Sequence, residues 1–303
     1  VFEDDVFAMP RCPTCYGVHK GSYQEDIIQK ILDDNNIRYE KNTRIIQNNN
    51  SKYKLEIDFY IPDLKIGFEI DSLRWHHSNQ YKHSNKTELA LKQGIKLYHL
   101  WTFFNKDKVK AFILNKLNKN QRIFASKTKF QEISSEIAAK FLNDHHMHNS
   151  VRAKFCYGLF YNDELVSVLT YRDNKEGIEI ARFSGKGNLT VVGGFSKLLK
   201  NSLIQLKLKG YKKVITYADR DLTPDYKDSV YIKNGFKFVK NTGNILFYTD
   251  NNQVFPRQIF QKHKLPALLK FFDPKLSANE NLIKNEIYPI WNSGNWKFEL
   301  IID

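Results

Sequence analysis

The chain has 303 residues, a length that accommodates about two domains, because a single core rarely grows past roughly 250 residues. Hydrophobic residues make up 42% and aromatic residues 14%, which is enough apolar surface to exclude general disorder. The formal net charge is +14, and no run approaches the roughly 18 to 20 consecutive apolar residues of a membrane span, so we expect no membrane anchor.

The positive charge comes from 47 Lys+Arg against 33 Asp+Glu. Such an excess favours a polyanionic partner, because phosphate contacts release counterions. The other interpretation is a merely soluble, Lys-rich protein from an AT-rich genome. Three cysteines are too few for a disulfide scaffold and favour a reducing compartment, the cytoplasm.

Segment 1–21 precedes the first predicted helix and contains Cys12-Pro-Thr-Cys15. This spacing is half of a zinc site, which normally needs four ligands. The remaining cysteine, Cys156, lies in a strand-like run that favours a buried thiol. We therefore expect a partial zinc-ribbon-like segment that holds Zn²⁺ weakly. Because the chain begins at Val1 rather than Met, we expect a fragment.

Helix and strand signals alternate from 22 to 120, the predicted first domain. In chain order they are a helix over 23–32, a strand over 53–60, a turn at 61–64, a strand over 65–71, a helix over 85–93 and a buried strand over 95–101. A helix, a hairpin, a second helix and a strand predict a small mixed α/β core.

Acidic and histidine side chains cluster around the predicted hairpin. Asp58 and Glu69 lie across its turn, so neighbouring strands would bring them together. Converging carboxylates repel each other, and Mg²⁺ or Mn²⁺, which prefer oxygen ligands, relieve that repulsion. Such a metal stabilises charge on a phosphate, while a nearby histidine transfers protons. Each carboxylate taken alone is more often a solvated surface residue. The full set is Glu25, Asp58, Glu69, Asp71, Trp75, His76 and His77.

The run LEIDFYIPDLKIGFEIDSLRWHH is followed by a Lys-bearing helix, a Gly turn and an apolar strand that ends in Trp101. This order resembles the nuclease core of phage homing endonucleases related to the very short patch repair endonuclease, a variant of the PD-(D/E)XK fold. The resemblance implies that Asp58 is the central metal ligand, supported by Glu69 and Glu25. It also implies that His76 does the proton chemistry and that a zinc ribbon precedes the nuclease.

One position departs from the general PD-(D/E)XK pattern, which has a lysine where this chain has Asp71. The role of the base then falls to His76 or His77. Asp71 is either a further ligand of the divalent cation, beside Asp58 and Glu69, or a cap of the strand end. A positive charge would come from Lys86 on the following helix. We expect this residue and its neighbour on the same helix to contact DNA, a pair formed by Lys82 and Lys86.

Residues 130–303 are the predicted second domain, after a polar, basic stretch that looks like a linker at 118–130. The predicted elements are a helix over 134–142, strands over 155–161, 164–171 and 176–183, a helix from Gly193-Gly194 to Leu208, and a strand over 213–217. This order resembles the acyltransferase-like (GNAT-like) domain that often follows such nucleases. In working N-acetyltransferases the strand-to-helix loop binds a pyrophosphate through backbone N–H groups. Here the run Thr190–Phe195 lacks the leading Gln or Arg and the final small residue of that loop, which counts against coenzyme A binding.

Three other clusters in this domain have chemical interest. Tyr217-Ala218-Asp219-Arg220-Asp221 predicts either a polar site or an internal ion pair that fixes a loop, and the structural interpretation is favoured. His145, His146 and His148 follow a helix end, where capping is the expected role. Basic residues among apolar ones near the C-terminus suit phosphate contacts to DNA, namely Arg257, Lys262 and Lys264.

Together these features predict an α/β (α+β) protein with a PD-(D/E)XK-type core and a GNAT-like mixed-sheet domain. The predicted function is a metal-dependent, site-directed DNA endonuclease of the homing type, a hydrolase encoded by a bacteriophage and acting in the host cytoplasm on double-stranded DNA. The alternatives are a mismatch or nicking repair-type endonuclease, a DNA-modifying acyltransferase-like protein with a vestigial nuclease, and a DNA-binding regulator that no longer cuts.

Overall fold

The computed structural model describes residues 23–48, 52–73 and 80–302. We divide them into a first unit (23–117) and a second unit (121–302). The expectations for Cys12, Cys15, Trp75, His76 and His77 lie outside the described residues.

The first unit contains one sheet and three helices. Its elements are α1 (Tyr23–Asp34), β1 (Glu40–Ile46), β2 (Leu55–Ile61), β3 (Ile66–Asp71), α2 (Lys82–Lys92), β4 (Lys96–Trp101) and α3 (Lys106–Lys116). The sheet has the order β1-β2-β3-β4, in which β3 and β4 are parallel and the other neighbours antiparallel. Ile57 and Phe59 alternate with Asp58 along β2, so one face enters the core and the other presents the carboxylate.

The second unit is built on a seven-stranded mixed sheet with the order β12-β16-β11-β9-β8-β7-β6. Its first half contains β5 (Gln121–Phe124), β6 (Lys129–Glu132), α4 (Ser135–His145), β7 (Phe155–Tyr161), β8 (Glu164–Asn174), β9 (Gly177–Gly185), β10 (Leu189–Val192) and α5 (Gly194–Leu208). Its second half contains β11 (Lys213–Asp219), β12 (Lys237–Asn241), β13 (Leu246–Thr249), β14 (Val254–Pro256), α6 (Leu265–Leu268), α7 (Ala278–Lys284), β15 (Tyr288–Trp291) and β16 (Asn295–Ile301).

The stretch predicted as a linker is structured. Its residues form β5, which pairs in parallel with β10 immediately before α5. Lys197 of α5 donates to the carbonyl oxygens of Ala125 and Thr128 in the same stretch, and the bond to Ala125 measures 2.8 Å. This stretch at the start of the second unit therefore fixes the loop that leads into α5.

The loop after β11 joins the two units. The backbone oxygen of Asp221 accepts from the backbone N–H of His99 at 3.0 Å, and its carboxylate accepts from Trp101 Nε1 at 2.8 Å. Arg220 is 1% exposed, pairs with Glu88 of α2 at 2.9 Å and lies over the ring of Trp296. These contacts confirm the structural interpretation for Arg220.

The predicted mixed α/β architecture is confirmed, and so are the helices and strands predicted within 53–101 and 134–217, with shifts of a few residues at their ends. The sequence-based prediction missed β1, α3, β5, β6 and β10. Within the described part of the chain, no helix is long and apolar enough to cross a membrane.

Candidate functional site

Two parallel strands at the centre of the large sheet separate from each other. β9 and β11 pair only where 178–180 lies opposite 214–216. Beyond that point β9 continues beside β8, while β11 continues beside β16. The backbone of both strands therefore stays paired on its outer side, and a gap opens between them in the middle of the sheet.

A cavity of about 610 Å³ fills this gap. One wall comes from β9 with Ala181, Arg182 and Phe183, and the opposite wall from β11 with Tyr217 and Asp219. The first unit contributes a third wall, made of Lys96, Tyr98 and Lys116. A volume of this size takes a small-molecule ligand.

A histidine and a carboxylate face each other in this cavity. His148 Nε2 lies 2.7 Å from Asp219 Oδ2, and the other oxygen of Asp219 accepts from the backbone N–H of Asp221 at 2.9 Å. Carboxylates held in this way orient an imidazole and stabilise its protonated form. The ring of His146, which also lines the cavity, accepts from the backbone N–H of His148 at 3.1 Å. Burial and the charge of Arg182 hold the pKa of His146 well below its usual range, so this second imidazole is neutral.

The other charged groups of the cavity are mostly paired. Lys96 pairs with Asp228 at 2.5 Å, and Arg172 pairs with Glu179 at 2.5 Å. Arg182 donates to the carbonyl oxygens of Asn149 and Ala181.

Tyr231 also lines the cavity, and burial raises the pKa of its phenol, which keeps its proton at neutral pH. The cavity thus contains an imidazole held by a carboxylate, a protonated phenol and a fixed positive charge.

Helix α5 begins with an exposed glycine followed by two buried residues. Gly193 is exposed and has φ 77°, and in the described chain no side chain caps the first turn of the helix. The positive φ of Gly193 favours glycine there, and a Cβ on Gly194 would lie 3.0 Å from the Cβ of Val191, so a side chain at 194 would have to displace Val191 slightly. A helix start of this kind binds phosphate groups. Phe195, where the acyltransferase pattern has a small residue, is 4% exposed and packs in the core.

The carboxylates predicted to bind a divalent cation on β2 and β3 lie in a separate hollow of about 220 Å³ in the first unit. Asp58 Oδ2 accepts from the backbone N–H of Ile70 at 2.7 Å, and Glu69 Oε2 pairs with Lys86 Nζ at 2.5 Å. Burial and then the charge of Glu69 raise the pKa of Asp58 to about 7. Burial also raises the pKa of Glu69, against the attraction of Lys86.

Asp71 is fully enclosed beside two histidines. Its carboxylate lies 2.8 Å from His99 Nδ1 and 3.2 Å from His83 Nδ1, and His99 Nε2 lies 2.8 Å from Thr87 Oγ1. Burial disfavours the charged form of both partners, but their mutual attraction and hydrogen bonding outweigh it. The pairing raises the pKa of His99 to about 9 and holds the pKa of Asp71 well below its usual range.

The predicted cation ligands Asp58, Glu69 and Asp71 all line this hollow, but Glu25 does not and pairs with Lys41 at 3.4 Å. Among the described residues, the group whose ligand atoms come within 4.8 Å of one another is a different one, Asp71 with His83 and His99. Lys82 lies at the rim, and Arg257, Lys262 and Lys264 are exposed in the second unit.

No protein-family model matches the chain, and no curated protein matches it. Solved structures that are similar include the ribosomal-protein-S18-alanine N-acetyltransferase from Escherichia coli, at 7% identity and a TM-score of 0.35, over 58% of this chain and 94% of that one. A GNAT family acetyltransferase from Elizabethkingia anophelis matches at 14% identity and a TM-score of 0.33, over 58% and 98%. A Bacillus subtilis acetyltransferase matches at 15% identity and a TM-score of 0.33, over 58% and 100%.

These comparisons overturn several expectations. The similar structures are acetyltransferases, and none of them is a nuclease. The predicted membership in the homing endonucleases was therefore wrong. The predicted DNA endonuclease activity, the phage origin of the protein and the Mg²⁺, Mn²⁺ or Zn²⁺ cofactors were wrong as well. The physical reason lies in the hollow. Two of the three carboxylates already have a partner other than a cation, because Lys86 pairs with Glu69 while His83 and His99 pair with Asp71. The third, Asp58, has a pKa raised to about 7, which disfavours its charged form.

The sequence-based prediction missed His148, Tyr231 and Lys116 as cavity residues. Asp219 belonged to a cluster predicted as either a polar site or an internal ion pair, with the structural interpretation favoured. The one available signal was that polar residues at the end of β11 and histidines after α4 are unusually dense, but nothing in the sequence paired them.

Proposed function

We propose that the cavity between β9 and β11 is the active site of an acyltransferase that acylates an amine. The observation that carries the proposal is the His148–Asp219 pair at 2.7 Å inside that cavity. An amine is protonated at neutral pH and attacks a carbonyl only after losing its proton, so the reaction needs a positioned base. His148 is that base, and Asp219 stabilises the imidazolium that forms.

Coenzyme A, when bound, supplies the acyl group as a thioester. The resemblance of 130–303 to acyltransferase-like domains supports this donor. So does the start of α5, where Gly193 is exposed and no side chain of the described residues caps the first turn, an arrangement that suits a pyrophosphate. The missing Gln or Arg at Thr190 leaves phosphate binding to the backbone.

The residues of the chain divide the work. His148 takes the proton of the attacking nitrogen as the C–N bond forms. Arg182, fixed by the carbonyl oxygens of Asn149 and Ala181, offers positive charge to the carbonyl oxygen as it becomes negative. The C–S bond breaks, and Tyr231 returns a proton to the departing sulfur.

The test is release of free thiol from acetyl-CoA in the presence of a panel of amines: a polyamine, a lysine peptide and a duplex DNA. Asp219→Asn should lower kcat on the order of 10²-fold, because the imidazole loses its orienting charge. Asp173→Asn is the matched control, since Asp173 pairs with Lys154 on the exposed end of β8. If Asp219→Asn turned over like the control, or if the wild type released no thiol with any amine, the proposal would be wrong.

We also propose double-stranded DNA as a partner of this enzyme. The net charge of +14 supports it, together with the exposed positions of Arg257, Lys262 and Lys264. Binding through such residues neutralises phosphates without reading bases, so it should weaken steeply as salt is added.

A further inference from the structure

Two lysines line the proposed active-site cavity, and they differ in their partners. Lys96 pairs with Asp228 at 2.5 Å. Lys116, on the last turn of α3, has no carboxylate within ion-pair distance in the part of the chain that the structure describes. Its Nζ lies over the rings of Tyr98 and Phe112, at 4.9 and 5.0 Å from their centroids.

Burial in this setting favours the neutral form of the Lys116 amine. Burial, followed by the positive charge of Lys96, lowers the pKa of Lys116 to about 8. A larger share of this amine is therefore neutral at physiological pH than an ordinary lysine would have, and only the neutral amine is a nucleophile. The aromatic rings hold the side chain on the cavity wall, where it shares the space with His148.

We propose that Lys116 is an acyl acceptor built into the cavity, so that the protein acylates itself there. The inference rests on the proposed acyltransferase function. Lys116 Nζ forms the amide bond with the carbonyl carbon of the thioester, and the C–S bond breaks. The nitrogen gives its proton to His148, and the sulfur leaves as a thiol after taking up a proton. Amine and thioester become amide and thiol, with no other reactant.

Acylation would change the cavity. It removes the positive charge of Lys116 and extends the side chain by the acyl group into the space that an external amine would use. The acylated protein would therefore bind amines differently from the unmodified protein.

The experiment incubates the full chain with deuterium-labelled acetyl-CoA and measures the occupancy of each lysine by peptide mass spectrometry. Lys110 is the internal reference, since it lies on the same helix and is exposed. We expect Lys116 to be labelled at least about tenfold faster than Lys110, and Asp219→Asn to lower labelling of Lys116 by about tenfold without changing Lys110. Lys116→Arg should abolish the label at position 116, whereas Lys110→Arg should leave the labelling of Lys116 unchanged.

Equal labelling of Lys116 and Lys110, or labelling of Lys116 that Asp219→Asn does not change, would overturn the inference, because both outcomes describe uncatalysed chemistry. Thiol release measured in parallel with external amines separates the two proposals. Turnover of an external amine with Lys116 unlabelled refutes self-acylation alone. Absence of both reactions refutes the acyltransferase itself.

Discussion

The carboxylates in the hollow of the first unit predict how the stability of the protein depends on pH, and this prediction can be tested without a ligand. Asp58 is half-buried on β2, its Oδ2 bonded to the N–H of Ile70, and the neighbouring Glu69 adds negative charge. The pKa of Asp58 is about 7, against 3.8 for a free side chain. The unfolded chain therefore loses this proton near pH 4 and the folded chain only near pH 7. As the pH rises between those values, the folded state is increasingly penalised.

The size of the penalty follows from this difference in pKa. Each pH unit corresponds to about 1.4 kcal/mol, which sets an upper bound of about 4 kcal/mol above pH 7. Relaxation around the carboxylate reduces this bound. We expect Asp58→Asn to raise the free energy of unfolding by about 2 kcal/mol near pH 8, because the amide oxygen still accepts from Ile70 and no charge is buried.

The assay is denaturant unfolding of the wild type, Asp58→Asn and Asp63→Asn near pH 5 and near pH 8. Asp63 is exposed in the turn between β2 and β3, so its variant is the matched control. The gain in Asp58→Asn should be at least about twice as large near pH 8 as near pH 5. A gain that did not depend on pH, or a loss of stability at both pH values, would show that Asp58 is not a buried carboxylate with a raised pKa.

Two other predictions follow from contacts described above. Trp101→Phe removes the 2.8 Å bond to the buried Asp221 carboxylate and should lower the free energy of unfolding by about 2 to 4 kcal/mol, as measured by denaturant titration. Trp291→Phe, which changes a half-buried tryptophan of β15, is the control and should lower the free energy of unfolding by less. Replacing Arg257, Lys262 and Lys264 together by Gln should weaken binding to duplex DNA and reduce the slope of log Kd against log salt by about 2 to 3, as measured by fluorescence anisotropy; an unchanged slope would place the DNA contacts elsewhere.

Periodic patterns made the local elements predictable. Ile57, Phe59 and Ile61 alternate along β2, and Ile28, Ile31 and Leu32 follow helical spacing on α1, so both elements were predicted from sequence. β1 was missed because only its last residue is buried, which leaves no apolar alternation to detect.

The candidate site depends on pairings that local sequence does not encode. His148 and Asp219 lie 71 residues apart, and their contact exists only because β11 runs beside β9 and the loop after α4 returns to it. The partners of the predicted cation ligands could not be predicted for the same reason. Lys86 was expected to bring a positive charge to this site, but its pairing with Glu69, 17 residues away, is not encoded in the local pattern.

The parallel pairing of β5 with β10 bears on how the polypeptide can be dissected. A fragment that begins at 130 would leave the N–H and C=O groups on one edge of β10 without their partners and would also lose the carbonyl oxygens that hold Lys197. Exposed strand edges of this kind recruit other chains and favour aggregation. Any attempt to produce the second unit alone, or to graft it onto a different partner, has to include residues 121–128.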